Sequence, residues 1–279
     1  MLPDNLKKFS KRIPVLDHGY IMLVDIMGDD EAVVQAARVS YAEETQKIRN
    51  TEGLIRYLLS HKHTSPFEQA RIKLEVKLPI FVERQWVRHR MASLNEVSAR
   101  YSVLPEEFYS PDQNNVREQS KKNKQGVGDI LSDEVSSEYL QTLQQTNTEA
   151  YAGYRKALEA GISREQARLM LPVNTYTAKV WTQDLHNLMH FLKVRMDSHA
   201  QWEIQQYAKA IAKILKEWVP ITWTAFEDYE LQALKFSRME LLGLAKLLKG
   251  ASLEEGILAS GLAGREAEEF KQKIYRAEV

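Results

Sequence analysis

The densest run of chemically capable side chains is Gln85-Trp86-Val87-Arg88-His89-Arg90-Met91-Ala92-Ser93-Leu94-Asn95-Glu96-Val97-Ser98-Ala99-Arg100-Tyr101. Three arginines, a histidine, a glutamate, two serines and an asparagine fall within a few turns of chain. Arginine presents a planar fork of donors that matches phosphate or carboxylate. The Ser98 hydroxyl and the Ala99 N–H complete an anion pocket of that kind. A solvated basic loop is the plainer reading of Arg-His-Arg by itself. Arg195 is the second candidate. Leu185, Leu188, Leu192, Arg195 and His199 recur at spacings of three and four, which puts them on one helical stripe. An arginine on an apolar stripe is rarely left unpaired. Either it forms a buried salt bridge, with Glu68, Glu96 or Asp197, or it faces a ligand. Ser98 invites a nucleophile reading, but a serine needs an adjacent base and the sequence places none.

His186 and His190 stand at i, i+4 with His199 beyond, a spacing that can hold zinc. No glutamate follows His186 as in the zincin pattern, and His61 and His63 do not share a helical face, so no metal is expected. A metal-dependent hydrolase on these histidines, and a nucleotide- or RNA-binding module on the arginine loop, remain the competing readings. The formal charge, 38 basic against 38 acidic residues, counts against nucleic-acid binding. The chain has no cysteine, which removes disulfides, thiolate metal sites and cysteine nucleophiles and suits a cytoplasmic setting. No apolar run is long enough for a membrane span, and the N-terminus lacks the apolar core of a secretory signal. There is no Gly-x-Gly-x-x-Gly fingerprint and no phosphate-loop motif.

The elements that must position these residues read as α+β: an antiparallel sheet flanked by helices, with a helical C-terminal appendage. Tyr20–Ile26 is an apolar strand ending at Gly28, and Asp29 and Asp30 open a helix through Val39. A helix starts at Thr51. Ile72, Leu74, Val76 and Leu78 alternate as a half-exposed strand, and Pro79 opens the next helix. Residues 110–129 are polar and read as a mobile surface insertion. A long helix runs from Val135 to Leu158 and closes at Gly161, and Ser163 caps a short one. Thr175–Thr182 suggests a strand, and residues 184–218 are helical in pattern. Ser237…Glu240 and Ser252…Glu255 are capping-box patterns. The expected division is a catalytic domain over residues 1–229 and an extension over 230–279.

Read whole, Arg88-His89-Arg90, then seven residues, then Ser98 resembles the signature of the flavin-dependent thymidylate synthases. Asn95-Glu96 and Arg100-Tyr101 stand where that family has them. His61-Lys62-His63-Thr64-Ser65-Pro66-Phe67-Glu68 is similar to the family's upstream motif. Arg164-Glu165-Gln166-Ala167-Arg168 with Leu171-Pro172 resembles its later arginine motif, and Leu192–Tyr207 its C-terminal helix motif. The likeness runs from about residue 15 to about residue 228.

The resemblance implies reductive methylation of dUMP to dTMP. The carbon would come from methylenetetrahydrofolate, and the hydride from FAD reduced by NADPH. It also implies a homotetramer with active sites at subunit interfaces. Arg195 and Ser98 would be catalytic, with Arg195 against the uracil edge and Ser98 as a hydrogen-bond donor. Gln85, Arg88, Glu96, Ser98, Ala99, Arg100, Arg168 and Arg195 would hold the nucleotide. His63, Ser65, Arg88, His89, Arg90, Glu96, Asp184, His186, His190 and His199 would hold the flavin. Ser65 stands where relatives often have threonine, and Asp184 and His186 where they have other side chains. The missing cysteine fits: ordinary thymidylate synthase chemistry needs a thiolate on the pyrimidine, and a flavin with electrostatic activation can replace it.

Overall fold

The computed structural model describes residues 2–39, 50–121 and 126–277. Two compact units divide between Phe226 and Glu227. The first carries every candidate site residue named above.

Strand β1 (Ile13–Val15) turns into β2 (Gly19–Met27), and helix α1 (Asp30–Arg38) follows. Asp29 starts that helix by accepting a hydrogen bond from Ala32 N at 3.0 Å. Helix α2 (Thr51–Ser60) is capped in the same way by Asn50 through Gly53 N, at 2.7 Å. Strand β3 (Arg71–Pro79) alternates as its sequence demands: Ile72, Leu74, Val76 and Leu78 are buried while Arg71 and Lys73 face water. Pro79 ends this strand and is the N-cap of α3 (Ile80–Trp86), one residue earlier in the helix than expected. Strand β4 (Ala92–Glu96) then lies inside the arginine-rich segment.

Strands β5 (Arg117–Gln119) and β6 (Val127–Ile130) pair as a small ribbon. The stretch expected to be a mobile insertion is therefore partly a hairpin, whose ladder hydrogen bonds its polar composition does not advertise. Residues 122–125 of that stretch lie outside the described residues. Helix α4 (Asp133–Glu159) leads through Gly161, whose φ is +82°, to α5 (Arg164–Ala167) and a 3-10 turn at Arg168–Met170. Strand β7 (Tyr176–Asp184) runs into α6 (Leu185–Arg195), and α7 (Trp202–Trp218) and α8 (Pro220–Phe226) complete the unit. The pattern over 184–218 is thus two helices, interrupted at residues 196–201.

The main sheet has the order β1-β2-β3-β7-β4, every neighbour antiparallel. β3 and β7 are its centre, and β4 is an edge. Ring packing joins α3, α6, α7 and β7 on one face: Trp86 lies 4.6 Å from Phe191, 5.3 Å from Trp181 and 6.0 Å from Tyr207 between ring centroids.

One part of that face is not apolar. Leu74 pairs with Trp181, but Val76 pairs with Lys179 and Leu78 with Thr177. Lys179 therefore points into the core, where Glu83 of α3 meets its ammonium and the Trp86 ring covers it at 4.1 Å. Both charged residues are almost fully buried. Burial pulls the ammonium down to about 8 while Glu83 works to keep it charged. Burial pushes the Glu83 carboxyl up against the opposing pull of Lys179. The two form an ion pair that pins α3 to β7.

The second unit comprises α9 (Arg238–Leu247), α10 (Leu253–Ser260) and α11 (Gly264–Ala277). Both expected capping boxes are formed, at Ser237 with Glu240 and Ser252 with Glu255. Helices α9 and α10 cross closely at Gly243 and Gly256: a Cβ on Gly243 would stand 3.1 Å from Gly256 O.

Removing one half of the buried pair leaves the other charged and desolvated. Lys179→Met is expected to lower stability by about 3–5 kcal/mol, and Lys179→Met combined with Glu83→Leu to recover most of that loss. Urea unfolding monitored by tryptophan fluorescence checks it. Equal losses in the single and double variants would mean the pair does not hold α3.

Candidate active site

The predicted residues fall into two groups, each positioned by different elements. The first is built by the end of α3 and the end of α6. Arg195 is the last residue of α6, and Met196 caps the helix. Its Nε donates to His89 Nε2 at 3.0 Å, and its Nη2 donates to the Gln85 carbonyl at 2.9 Å. Of the two alternatives for Arg195, the salt bridge to Glu68, Glu96 or Asp197 is not formed, and both groups that hold the guanidinium are neutral. Arg88 lies close enough to repel it, and this, after burial, lowers the Arg195 pKa. Arg88 and Arg90 have no hydrogen-bond or ion-pair partner among the described residues.

His89 is half-buried, 4.9 Å from the Phe191 ring and 5.7 Å from the His190 ring. Burial first, then Arg195, His190 and Lys179, lowers its pKa to about 4, so it is neutral at physiological pH. The Gln85 side chain donates to Gln201 in the break between α6 and α7. A cavity of about 230 Å³ opens beside this group, lined by Trp86, Val87, His89, Arg90, Ala92, Leu94, Lys179 and Trp181. Among the described residues the buried indole Nε1 of Trp86 has no hydrogen-bond partner. A larger cleft of about 480 Å³, lined by Leu16, Tyr109, Trp202 and Lys213 among others, contains none of the predicted residues.

The second group is built on the turn after β4 and on the 3-10 turn at Arg168. Ser98 opens the turn: its carbonyl accepts from Tyr101 N at 3.0 Å, and its Oγ from Arg100 N at 3.3 Å. Among the described residues no histidine or carboxylate is hydrogen-bonded to that Oγ, so nothing here activates Ser98 as a nucleophile. Ala99 is buried, while Arg100 is exposed and 3.5 Å from Glu165. Helix α4 holds both turns. Tyr151 donates to Leu104 O at 3.2 Å, Tyr154 accepts from Leu104 N at 3.3 Å, and Tyr154 packs with Ala167. Arg168 has no hydrogen-bond or ion-pair partner among the described residues. No hydrogen bond or ion pair among them links this group to the first.

Glu96 accepts from Thr177 Oγ1 at 2.7 Å, across the β4–β7 pairing. Asp184 is the N-cap of α6, accepting from Asn187 N at 2.9 Å with its other oxygen held by the Asn187 amide. Its departure from the family pattern thus has a structural use. His63, Ser65 and His190 are exposed, and His186 is half-exposed. His199 is not on the helical stripe that spacing suggested: α6 ends at Arg195, and His199 sits in the turn beyond, with its Nδ1 2.8 Å from Asp197. Among the described residues no three His, Asp or Glu side chains are grouped to hold a metal ion. Sequence reasoning missed Glu83 and Lys179. The one available signal was a lysine among the apolar and β-branched residues of a central strand.

Arg88, Arg90 and Arg168 have no counter-ion among the described residues, and Arg195 is held only by neutral groups, so each is a donor suited to an anionic ligand. Donors of this kind fit a phosphate-bearing nucleotide or dinucleotide.

A family model described as thymidylate synthase complementing protein matches residues 22–221 of the chain. The flavin-dependent thymidylate synthase of Thermus thermophilus is 52% identical over 263 residues, 94% of this chain and 96% of that protein. That of Ruegeria pomeroyi is 46% identical over 267 residues, 94% and 88% of the two chains. Among solved structures, the UMP/dUMP methylase PolB from Streptomyces cacaoi, bound with 5-Br dUMP, matches with a TM-score of 0.71 and 35% identity. It covers 78% of this chain and 99% of that one.

The neutral state of His89 has a consequence for stability. Above its ordinary pKa of 6.5, folded and unfolded chains are both unprotonated there, and its contribution is complete. As pH falls from 6.5 towards 4, the unfolded chain takes up a proton that the folded chain refuses, so stability declines through that window. His89→Gln is expected to make this decline shallower, as read from melting temperatures across the same pH range. An unchanged slope would mean that His89 is charged in the folded protein.

Proposed function

The chain belongs to the thymidylate synthase complementing protein family, the flavin-dependent thymidylate synthases, and on that premise we propose how its side chains carry the reductive methylation of dUMP to dTMP. FAD is the cofactor, with NADPH and methylenetetrahydrofolate as co-substrates. The observation that carries the residue assignment is Arg195. It is a half-buried guanidinium held by a neutral imidazole and a carbonyl, with no carboxylate to neutralise it. Its charge is available to favour negative charge developing at N3 and O2 of uracil, which activates the ring without a thiolate.

Arg100, Arg168, the Ala99 N–H and the Ser98 hydroxyl hold the phosphate, and Gln85, Arg88 and Glu96 complete the nucleotide site. His63, Ser65, Arg88, His89, Arg90, Glu96, His186, His190 and His199 are the residues proposed to hold the flavin, with Asp184 supporting them as the α6 cap. Bound reduced FAD supplies the hydride that completes the methyl group. The unpaired guanidiniums of Arg88 and Arg90 suit its pyrophosphate.

The division of the nucleotide ligands supports a homotetramer with active sites at subunit interfaces. Arg195, Gln85 and Arg88 form one group, Ser98, Arg100 and Arg168 another, and each is positioned by its own elements. One chain then contributes the first group to a site whose second group comes from a neighbour. Residues 1–229 form the catalytic domain in this reading, and 230–279 an extension without chemistry. A cytoplasmic location suits the cysteine-free chain.

Tritium release from C5-labelled dUMP tests the reaction and should require FAD and methylenetetrahydrofolate. Arg195→Ala is expected to lower release by about 100-fold or more while flavin content is kept. Equal loss of flavin and turnover would make Arg195 a structural residue. If sites are shared between chains, inactive Arg195→Ala and Arg168→Ala chains, co-expressed, should regain part of the activity. No recovery in mixed tetramers would place both arginines in one chain's site. Truncation after Tyr229 should leave assembly and turnover unchanged.

A further inference from the structure

A guanidinium has two edges that can each make a pair of hydrogen bonds. In Arg195, Nε and Nη2 share one edge, and both are occupied, by His89 Nε2 and Gln85 O. That leaves the edge formed by Nη1 and the second Nη2 proton for a ligand: two parallel N–H donors that match O2 of uracil and, once negative charge has developed on it, the adjacent N3. The direction of that free edge is set by what grips the other one.

We propose that His89 is a positioning residue for Arg195, its unprotonated Nε2 accepting the Nε–H and so fixing the guanidinium plane for the pyrimidine. This rests on the reading of Arg195 given above and adds to it a role for His89 distinct from flavin contact. The hydrogen bond requires the tautomer with its proton on Nδ1, because an Nε2–H would oppose the Arg195 N–H. The surroundings enforce the unprotonated state. His190 and Arg195 of α6, Lys179 of β7 and the neighbouring Arg88 and Arg90 are all basic groups. Among the described residues no carboxylate is bonded to the ring, so a second proton on His89 has no stabilising partner. The ring itself cannot swing freely. Its backbone N–H donates to Trp86 O at 3.0 Å, and the ring meets Phe191 nearly edge-on at 72°. Phe191 in turn packs on Trp86, whose ring covers the Lys179 ammonium.

The test uses the FAD-loaded full chain. A glutamine places an amide oxygen near the position of Nε2, an asparagine places it near Nδ1, and leucine offers no acceptor. His89→Leu and His89→Asn are expected to lower kcat for dTMP about 100-fold with flavin content retained, and His89→Gln to recover at least about ten-fold of that loss. The Kd for dUMP, by calorimetry, should follow the same order. In an Arg195→Ala background, His89→Leu should add nothing further, because it acts only through Arg195. Additive losses, or loss of flavin in all three His89 variants alike, would overturn the proposal in favour of a flavin contact. An Arg195→Ala enzyme with full turnover would overturn the reading of Arg195 itself. An inactive Arg195→Ala beside a fully active His89→Leu would overturn the His89 role alone.

Discussion

A lysine ammonium on the core face of a central strand constrains this molecule more than any other single group. β7 alternates correctly for a half-buried strand, and the alternation puts Lys179 inward beside Trp181. A buried ammonium without a counter-ion costs several kcal/mol. Helix α3 is therefore docked with Glu83 facing inward, and Trp86 one turn on closes over the charge. Once Glu83 and Trp86 are fixed, Gln85, Arg88 and His89 have little freedom left. Lys179 also pairs in register with Glu96 of the edge strand, so both ends of the arginine-rich segment are referred to one residue.

The site's charge follows from how the nearby carboxylates are used. Glu83 is occupied by Lys179, Glu96 by the Thr177 hydroxyl, Glu165 by Arg100, and Asp184 by the first turn of α6. Each of these four acids already has a structural partner. A chain that is neutral as a whole thereby keeps a local excess of positive charge. Net charge could never have revealed this, since it reports on solubility and non-specific binding rather than on a site.

What the sequence made legible, and what it did not, divides along the same physical line. Strand β3 and helices α1, α2 and α4 could be read because burial on one face leaves a period in the pattern, and the capping boxes at Ser237 and Ser252 marked the starts of two later helices. The site could be read because its residue types lie close together in the chain. Strand β4, with Ala-Ser-Leu-Asn-Glu, carries no apolar alternation: it is an exposed edge, held by backbone pairing to a strand about eighty residues later. The end of α6 at Arg195 was hidden because the apolar spacing continues across the break at residues 196–201. The partners of Arg195 were hidden because His89 and a backbone carbonyl are distant in sequence, and no composition rule favours a neutral pair over a salt bridge.

That neutral pair is also what makes a cysteine-free route to pyrimidine chemistry physically reasonable. A thiolate activates uracil by forming a bond, and a guanidinium can only offer charge. Charge is effective when it is desolvated and not already cancelled by a counter-ion. A carboxylate bound to Arg195 would have oriented it equally well, but would have cancelled the field at the ligand. An imidazole nitrogen and a carbonyl orient it and leave the field intact. The cost is a guanidinium held by weaker bonds in a partly buried place, next to another arginine that repels it. The Trp86, Phe191 and Trp181 rings, packed on one another with Trp86 over the Lys179 ammonium, supply the rigidity that those weaker bonds do not.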